Sequence, residues 1–133
     1  MRKTIIGLLC GLSLLMAAVA FAHHAPAVFD RTKEVKLVGV VKEFRWANPH
    51  CYIGLDVRDE KGNTVKWDLE MNPPTYLVKA GWKSTTIKAG DAVTVTINPL
   101  RTSEPVGKFV SITLPDGRVL ADSGTAPTTP AAR

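Results

Sequence analysis

The sequence predicts an all-β domain with one short helix, arranged as an OB-like five-stranded Greek-key barrel. Three observations lead there. Short segments of apolar–polar alternation recur along the chain, separated by Gly, Pro, Asn and Asp turn signals. A single helical pattern falls between the third and fourth of these segments. The first segment is long and interrupted by Gly39, as a strand serving both sides of a barrel would be. Another small antiparallel barrel or sandwich is the alternative that the same elements allow.

The first strand is expected over Glu34 to Trp46, with Gly39 marking a bulge or bend. In the second, Cys51, Ile53, Leu55 and Val57 share one face. Asp59 to Asn63 is a turn, and Val65, Trp67, Leu69 and Met71 then alternate with Lys66, Asp68 and Glu70 in a hairpinned third strand. Asn72 can cap a helix that has Pro73 and Pro74 in its first turn, Tyr76, Leu77 and Ala80 as an apolar stripe, and Gly81 as its stop. The fourth strand turns Val93, Val95 and Ile97 inward and ends at Asn98-Pro99. A fifth runs from Lys108 to Leu114, and a last short one holds Val119 and Leu120.

The expected organisation is a secretory signal peptide over residues 1–22, an N-terminal arm over 23–33 with Phe29 as its anchor, the barrel over 34–120, and a disordered tail over 121–133. Arg2 and Lys3 supply the positive start of a signal, Ile5 to Met16 its apolar core, and Ala20-Phe21-Ala22 a small-x-small cleavage site. Cleavage there leaves His23 first. Ala18-Val19-Ala20 fits as well and leaves Phe21 first. The apolar run is short of the roughly 20 residues that a bilayer span needs, so no span is expected after cleavage, and the location is periplasmic or secreted.

The 17 Lys and Arg residues include Arg2 and Lys3, so the mature chain keeps 15 against 12 acids, a net of +3. These charges are interspersed, without the basic stripe of a nucleic-acid binder. Cys10 leaves with the signal, so Cys51 has no disulfide partner and reads as a small buried hydrophobe. No nucleophile arrangement or nucleotide loop is present, which favours binding over catalysis.

What remains distinctive is the corner from Glu43 to Tyr52 around Asn48-Pro49. Alternation sends Cys51 inward and His50 and Tyr52 outward. A hairpin centred on Lys61 puts Tyr52 across from Glu70 and His50 near Asn72. A hairpin centred on Asn48 puts Phe44 across from Tyr52 and Trp46 across from His50. The expected result is an outward patch of Phe44, Trp46, His50, Tyr52 and Glu70, with the arm folding back to bring His23 and His24 beside it.

An α-amine next to histidine is a strong ligand set for Cu(II). With His23 first, its amine and imidazole chelate one metal and His50 adds a third nitrogen, as in a T-shaped histidine brace. With Phe21 first, Phe21-Ala22-His23 forms a square-planar Cu(II) or Ni(II) motif. Zn(II) held by His23, His24, His50 and Glu70 is the other metal option, and no metal at all is the bland one. The metal-free alternative is an envelope binding module whose Phe44, Trp46 and Tyr52 engage a protein, peptide, glycan or other small ligand. A copper oxidoreductase would further need an open coordination position.

The chain reads Ala22-His23-His24, then Phe29-Asp30, then Gly39-x-Val41-x-x-Phe44-x-Trp46-x-Asn48-Pro49-His50, then Trp67-x-x-Glu70, Gly81-Trp82 and Lys88-x-Gly90-Asp91. In these motifs it resembles a family of small secreted bacterial proteins defined only as a domain of unknown function. The resemblance runs from about Ala22 to Leu120 and implies export and a small β domain. It supplies no activity, substrate or cofactor.

Overall fold

Period-two alternation forces each strand to bury one side, and here the buried sides all converge on one barrel interior. A computed structural model of the chain describes residues 28–124. The elements are β1 (Val35–Arg45), β2 (Tyr52–Arg58), β3 (Thr64–Glu70), α1 (Pro74–Lys79), β4 (Ala92–Pro99), β5 (Val106–Thr113) and β6 (Val119–Ala121). β1 pairs antiparallel with both β2 and β4, β2 with β3, and β4 with β5. A short parallel ladder from Asp68–Val106 to Glu70–Lys108 joins β3 to β5 and closes the ring. Five strands closed in this order, with the helix between β3 and β4, are an OB-fold barrel. β6 adds antiparallel to the far half of β5.

β1 is long because it must serve two neighbours. Gly39 and Val40 pair with Val57 and Asp56 of β2 on one edge and with Val93 and Ala92 of β4 on the other. At Gly39 the strands crowd so closely that a Cβ would stand 2.5 Å from the Asp56 carbonyl oxygen. The register then slips between Val41 and Glu43, leaving Lys42 as the extra residue of a bulge. Val41 and Phe44 consequently both turn toward the interior, three positions apart.

Ile53, Leu55, Leu69, Met71, Val95, Ile97 and Ile112 fill the barrel. Leu77 of α1 and Trp82 close its lower end, and the Trp82 indole N–H donates to the Ala121 carbonyl at 2.8 Å. Gly81 ends the helix at φ 91°, a conformation that favours glycine.

Three boundaries differ from expectation. Asn72 does not cap α1: the cap position is Pro73, with no side-chain bond. A buried carboxylate outcompetes the helix end, since the Asn72 backbone N–H donates to Asp122 Oδ1 at 2.7 Å and its side-chain amide to the Asp122 carbonyl at 3.2 Å. Residues 121 and 122, expected in a disordered tail, belong to the barrel: β6 runs through Ala121, and Asp122 is buried. β5 begins at Val106 rather than Lys108, because the closing ladder with β3 recruits Val106 and Gly107.

Phe29 does anchor the arm, forming a bridge with Leu100. Asp30 N–H donates to the Pro99 carbonyl at 2.8 Å and Arg101 N–H to the Val28 carbonyl at 2.9 Å. The expected signal peptide, His23, His24 and the last nine residues lie outside the described residues.

Replacing Gly39 by Ala is expected to destabilise the barrel by about 1–3 kcal/mol, the cost of overpacking against a backbone that cannot give way. Urea unfolding monitored by tryptophan fluorescence checks this. An unchanged midpoint would show that β1 and β2 can separate there at little cost.

Candidate functional site

The Trp46–Cys51 corner connects β1 to β2, and its Asn48–Pro49 peptide is cis. Beyond Tyr52 the β2–β3 ladder continues into the corner: Met71 N–H donates to the Cys51 carbonyl at 2.9 Å and Cys51 N–H to the Asn72 carbonyl at 3.3 Å. This buries the Cys51 side chain completely and sends the neighbouring His50 toward the rim. Burial pushes the Cys51 thiol pKa up and the charge of Asp122 adds to the rise, against a weaker pull from the Ala47 carbonyl contact. The thiol is therefore held in its unreactive form.

His50 Nδ1 lies 3.0 Å from the Met71 carbonyl oxygen. A carbonyl oxygen can only accept, so the proton of the neutral ring sits on Nδ1 and the lone pair on Nε2. Glu70 Oε1 stands 3.9 Å from the same Nδ1, and the His50 side chain keeps 38% of its surface exposed.

The aromatic residues part company with the expected patch. Tyr52 pairs with Glu70 as the second hairpin requires. Across the first hairpin, however, Phe44 pairs with Ile53 and Arg45 with Tyr52. That is one residue away from the Phe44–Tyr52 pairing that a bulge-free turn centred on Asn48 would give. The bulge at Lys42 restores Phe44 and Trp46 to the interior side, and there they join an aromatic chain. Ring centroids step 5.7 Å from Trp46 to Phe44, 5.9 Å to Trp82 and 5.6 Å to Phe109. Both are partly buried against the core.

On the outer face, Tyr52 instead meets Arg45, whose guanidinium lies 4.7 Å from the ring centroid. Arg45 also donates to Asp68 Oδ1 at 2.8 Å. Burial raises the Tyr52 pKa, and the charges of Glu70 and Asp68 raise it further against the pull of Arg45. Of the expected patch, His50, Tyr52 and Glu70 stay together. Phe44 and Trp46 leave it.

Sequence reasoning missed a second feature below the corner. Asp122 receives the Asn72 N–H and also pairs with Lys108 Nζ at 3.2 Å. Burial pushes its carboxyl pKa up, with the Asn72 bond and Lys108 pulling it back and Glu70 adding to the rise. A polar cleft of about 370 Å³ opens over this trio, walled by Arg31 of the arm and Asn98 of β4. The only sequence signal was an acid directly after an apolar pair at the end of β6, which composition alone assigns to the tail.

Among the described residues no group of three or more His, Cys, Asp or Glu side chains is placed to hold a metal. No helix among them is long and apolar enough to cross a membrane.

The chain belongs to the family of unknown function DUF6152, which matches residues 12–109. No curated protein matches it. Among solved structures, a mitochondrial single-stranded DNA binding protein from S. cerevisiae is similar at 12% identity and a TM-score of 0.47, over 62% of this chain and 94% of that one.

The buried carboxylate gives the barrel a defined acid response. An unfolded aspartate titrates near about 3.9, while the folded Asp122 holds its proton to higher pH, so rising pH favours the unfolded chain over that window. The stability difference between wild type and Asp122→Asn is expected to move in the variant's favour as pH rises from about 4 through the raised pKa. Chemical denaturation across pH 3–8 checks it, and a difference that moves the other way would mean that Lys108 outweighs burial.

Proposed function

We propose that the protein is an exported Cu(II)-binding protein in which the mature N-terminus and His50 share one metal. Residues 1–22 act as the signal, His23 supplies its α-amine and imidazole, and His50 supplies a third nitrogen through Nε2. His24 and Glu70 flank the ion. The observation that carries this reading is the state of His50. Its Nδ1–H is committed to the Met71 carbonyl, and its Nε2 lone pair is left at the partly exposed rim. Backbone carbonyls commonly fix metal-ligating imidazoles in this way.

The anchoring of the arm supports the same reading. Five residue steps lead from His23 to the anchored Val28, a reach of about 17 Å at roughly 3.4 Å per residue. Three strand-to-strand steps lead from Phe29 through Leu100 and Val106 to Asp68 on β3. At about 4.8 Å each they come to about 14 Å, and Glu70 lies two residues further along the same face. If cleavage instead leaves Phe21 first, the metal moves to the Phe21-Ala22-His23 motif and His50 takes no part.

A metal-free envelope module remains the rival, reduced to the outer face around Tyr52, since Phe44 and Trp46 pack inward. Glu43, Arg45, Lys66, Asp68 and Glu70 put three acids against two bases on this face of β1 and β3, which argues against a polyanion such as nucleic acid as its ligand.

Native mass spectrometry of the exported, untagged protein reads both the first residue and the bound metal. A mass starting at His23 with one copper is expected. His50→Ala and an added N-terminal residue are each expected to weaken Cu(II) binding by about tenfold or more. An apo mass that takes up no added Cu(II) would end the metal reading, and unchanged affinity in both variants would exclude the shared site.

A further inference from the structure

The polar cleft beside Asp122 opens at a second bulge. Thr96 pairs with Ser111 and Ile97 with Phe109, which leaves Val110 as an extra residue on β5. Such bulges interrupt a ladder and re-aim side chains, and they are over-represented beside active sites. Val110 borders the cleft of about 370 Å³, and Arg31, Asn72, Asn98, Lys108 and Asp122 bring polar groups to its lining.

The charges of this lining do not cancel. Arg31 and Lys108 set two positive charges against the single carboxylate of Asp122. That carboxylate is already answered on both oxygens, Oδ1 by the Asn72 backbone N–H at 2.7 Å and Oδ2 by Lys108 Nζ at 3.2 Å. Lys108 Nζ also reaches Asn72 Oδ1 at 3.5 Å. Both of its partners line the cleft, which places the ammonium at the cleft wall, and 16% of the Lys108 side chain stays open to solvent. An ammonium has three N–H donors, so one remains unused. Arg31 is freer still. The adjacent acid, Asp30, is occupied by Thr32, Lys33 and Arg101, and the Arg31 guanidinium has no ion pair or hydrogen bond among the described residues.

We infer that this cleft is a binding site for a small monocarboxylate, with the carboxylate held between Arg31 and Lys108. One negative charge brings the lining to neutrality, and the planar fork of an arginine matches the two oxygens of a carboxylate. A cationic ligand would face two like charges and find both Asp122 oxygens occupied. A phosphate dianion would set its second charge beside Asp122 with no cation left to answer it. Neither His50 nor Glu70 lines the cleft, so this inference and the copper reading stand or fall separately.

The probe is propionate, titrated into isotope-labelled protein with amide shifts followed by NMR. Propionamide is the uncharged control of the same shape, and inorganic phosphate is the competing anion. Shifts confined to residues 31, 98, 108–110 and 121–123 are expected. Propionamide and Arg31→Gln are each expected to weaken binding by about tenfold or more, and phosphate is expected to bind less tightly than propionate. Lys61→Gln, which removes one positive charge at the exposed β2–β3 turn, is expected to leave the affinity unchanged. Lys108→Gln is expected to weaken binding as Arg31→Gln does; should it fail to fold for want of a partner to Asp122, Arg31→Gln decides. No shifts at the cleft, shifts centred elsewhere, propionamide or phosphate binding as tightly as propionate, or an Arg31→Gln effect no larger than that of Lys61→Gln would overturn the assignment.

Discussion

The double duty of β1 is the constraint from which the rest of the barrel follows. One strand of eleven residues must pair with β4 along its first half and with β2 along its second, and its path must bend between the two. Two local devices make the bend. Gly39 removes the Cβ that would strike the Asp56 carbonyl, and the bulge at Lys42 inserts one residue on the β2 side only. The first permits close approach, and the second changes which residues face inward. Without the bulge Phe44 and Trp46 would be outside, and Arg45 would compete with core residues for the interior. With it, two large rings extend the core upward to the corner and an arginine is left to cover Tyr52.

The lower rim is held by a different kind of interaction. Asp122 is placed out of water and answered by a backbone N–H and an ammonium, at 2.7 Å and 3.2 Å. Removing either partner would leave a buried charge poorly compensated, the situation in which ion pairs matter most. Because the backbone N–H belongs to Asn72 and the ammonium to Lys108, this one carboxylate ties the end of β6 to the end of β3 and to β5. It does so next to the short parallel ladder that closes the ring. Trp82 reinforces the same junction through the Ala121 carbonyl. The chain between Met71 and Asn72 is thus fixed from below, and the Met71 carbonyl that orients His50 is held by the strand end that Asp122 secures.

Most of the strands were legible because alternation is a direct consequence of strand geometry. Cys51 to Val57, Val65 to Met71 and Val93 to Ile97 all face as their pattern says. The Tyr52–Glu70 pairing followed from the tight turn at Asp59 to Asn63, whose Asp59 side chain accepts the Lys61 and Asn63 N–H groups. The first hairpin was not legible in the same way. A bulge adds one residue without altering composition, and Lys42-Glu43 reads as ordinary surface until the register is known. Asp122 failed for a related reason. Its burial depends on Asn72 and Lys108, fifty and fourteen residues away, and a local window sees only a polar residue before Ser123, Gly124 and Thr125.

The same slip that defeated the register argument also defines what His50 can do. A flanking wall of Phe44 and Trp46 on the outer face would have enclosed the imidazole in an apolar setting, suited to recognising a ring or a sugar. Turned inward, those rings leave His50 bordered by Glu70 on the outer face, with its own N–H spent on a carbonyl. An imidazole with one nitrogen satisfied by the backbone and the other bearing a lone pair at a rim is a weak hydrophobic contact. It is a good electron-pair donor. What the corner presents is one imidazole nitrogen with its lone pair beside the Glu70 carboxylate. Val28 is tied down beside the β4–β5 connection, so the arm preceding it begins on the side of the barrel where β3 and β5 meet.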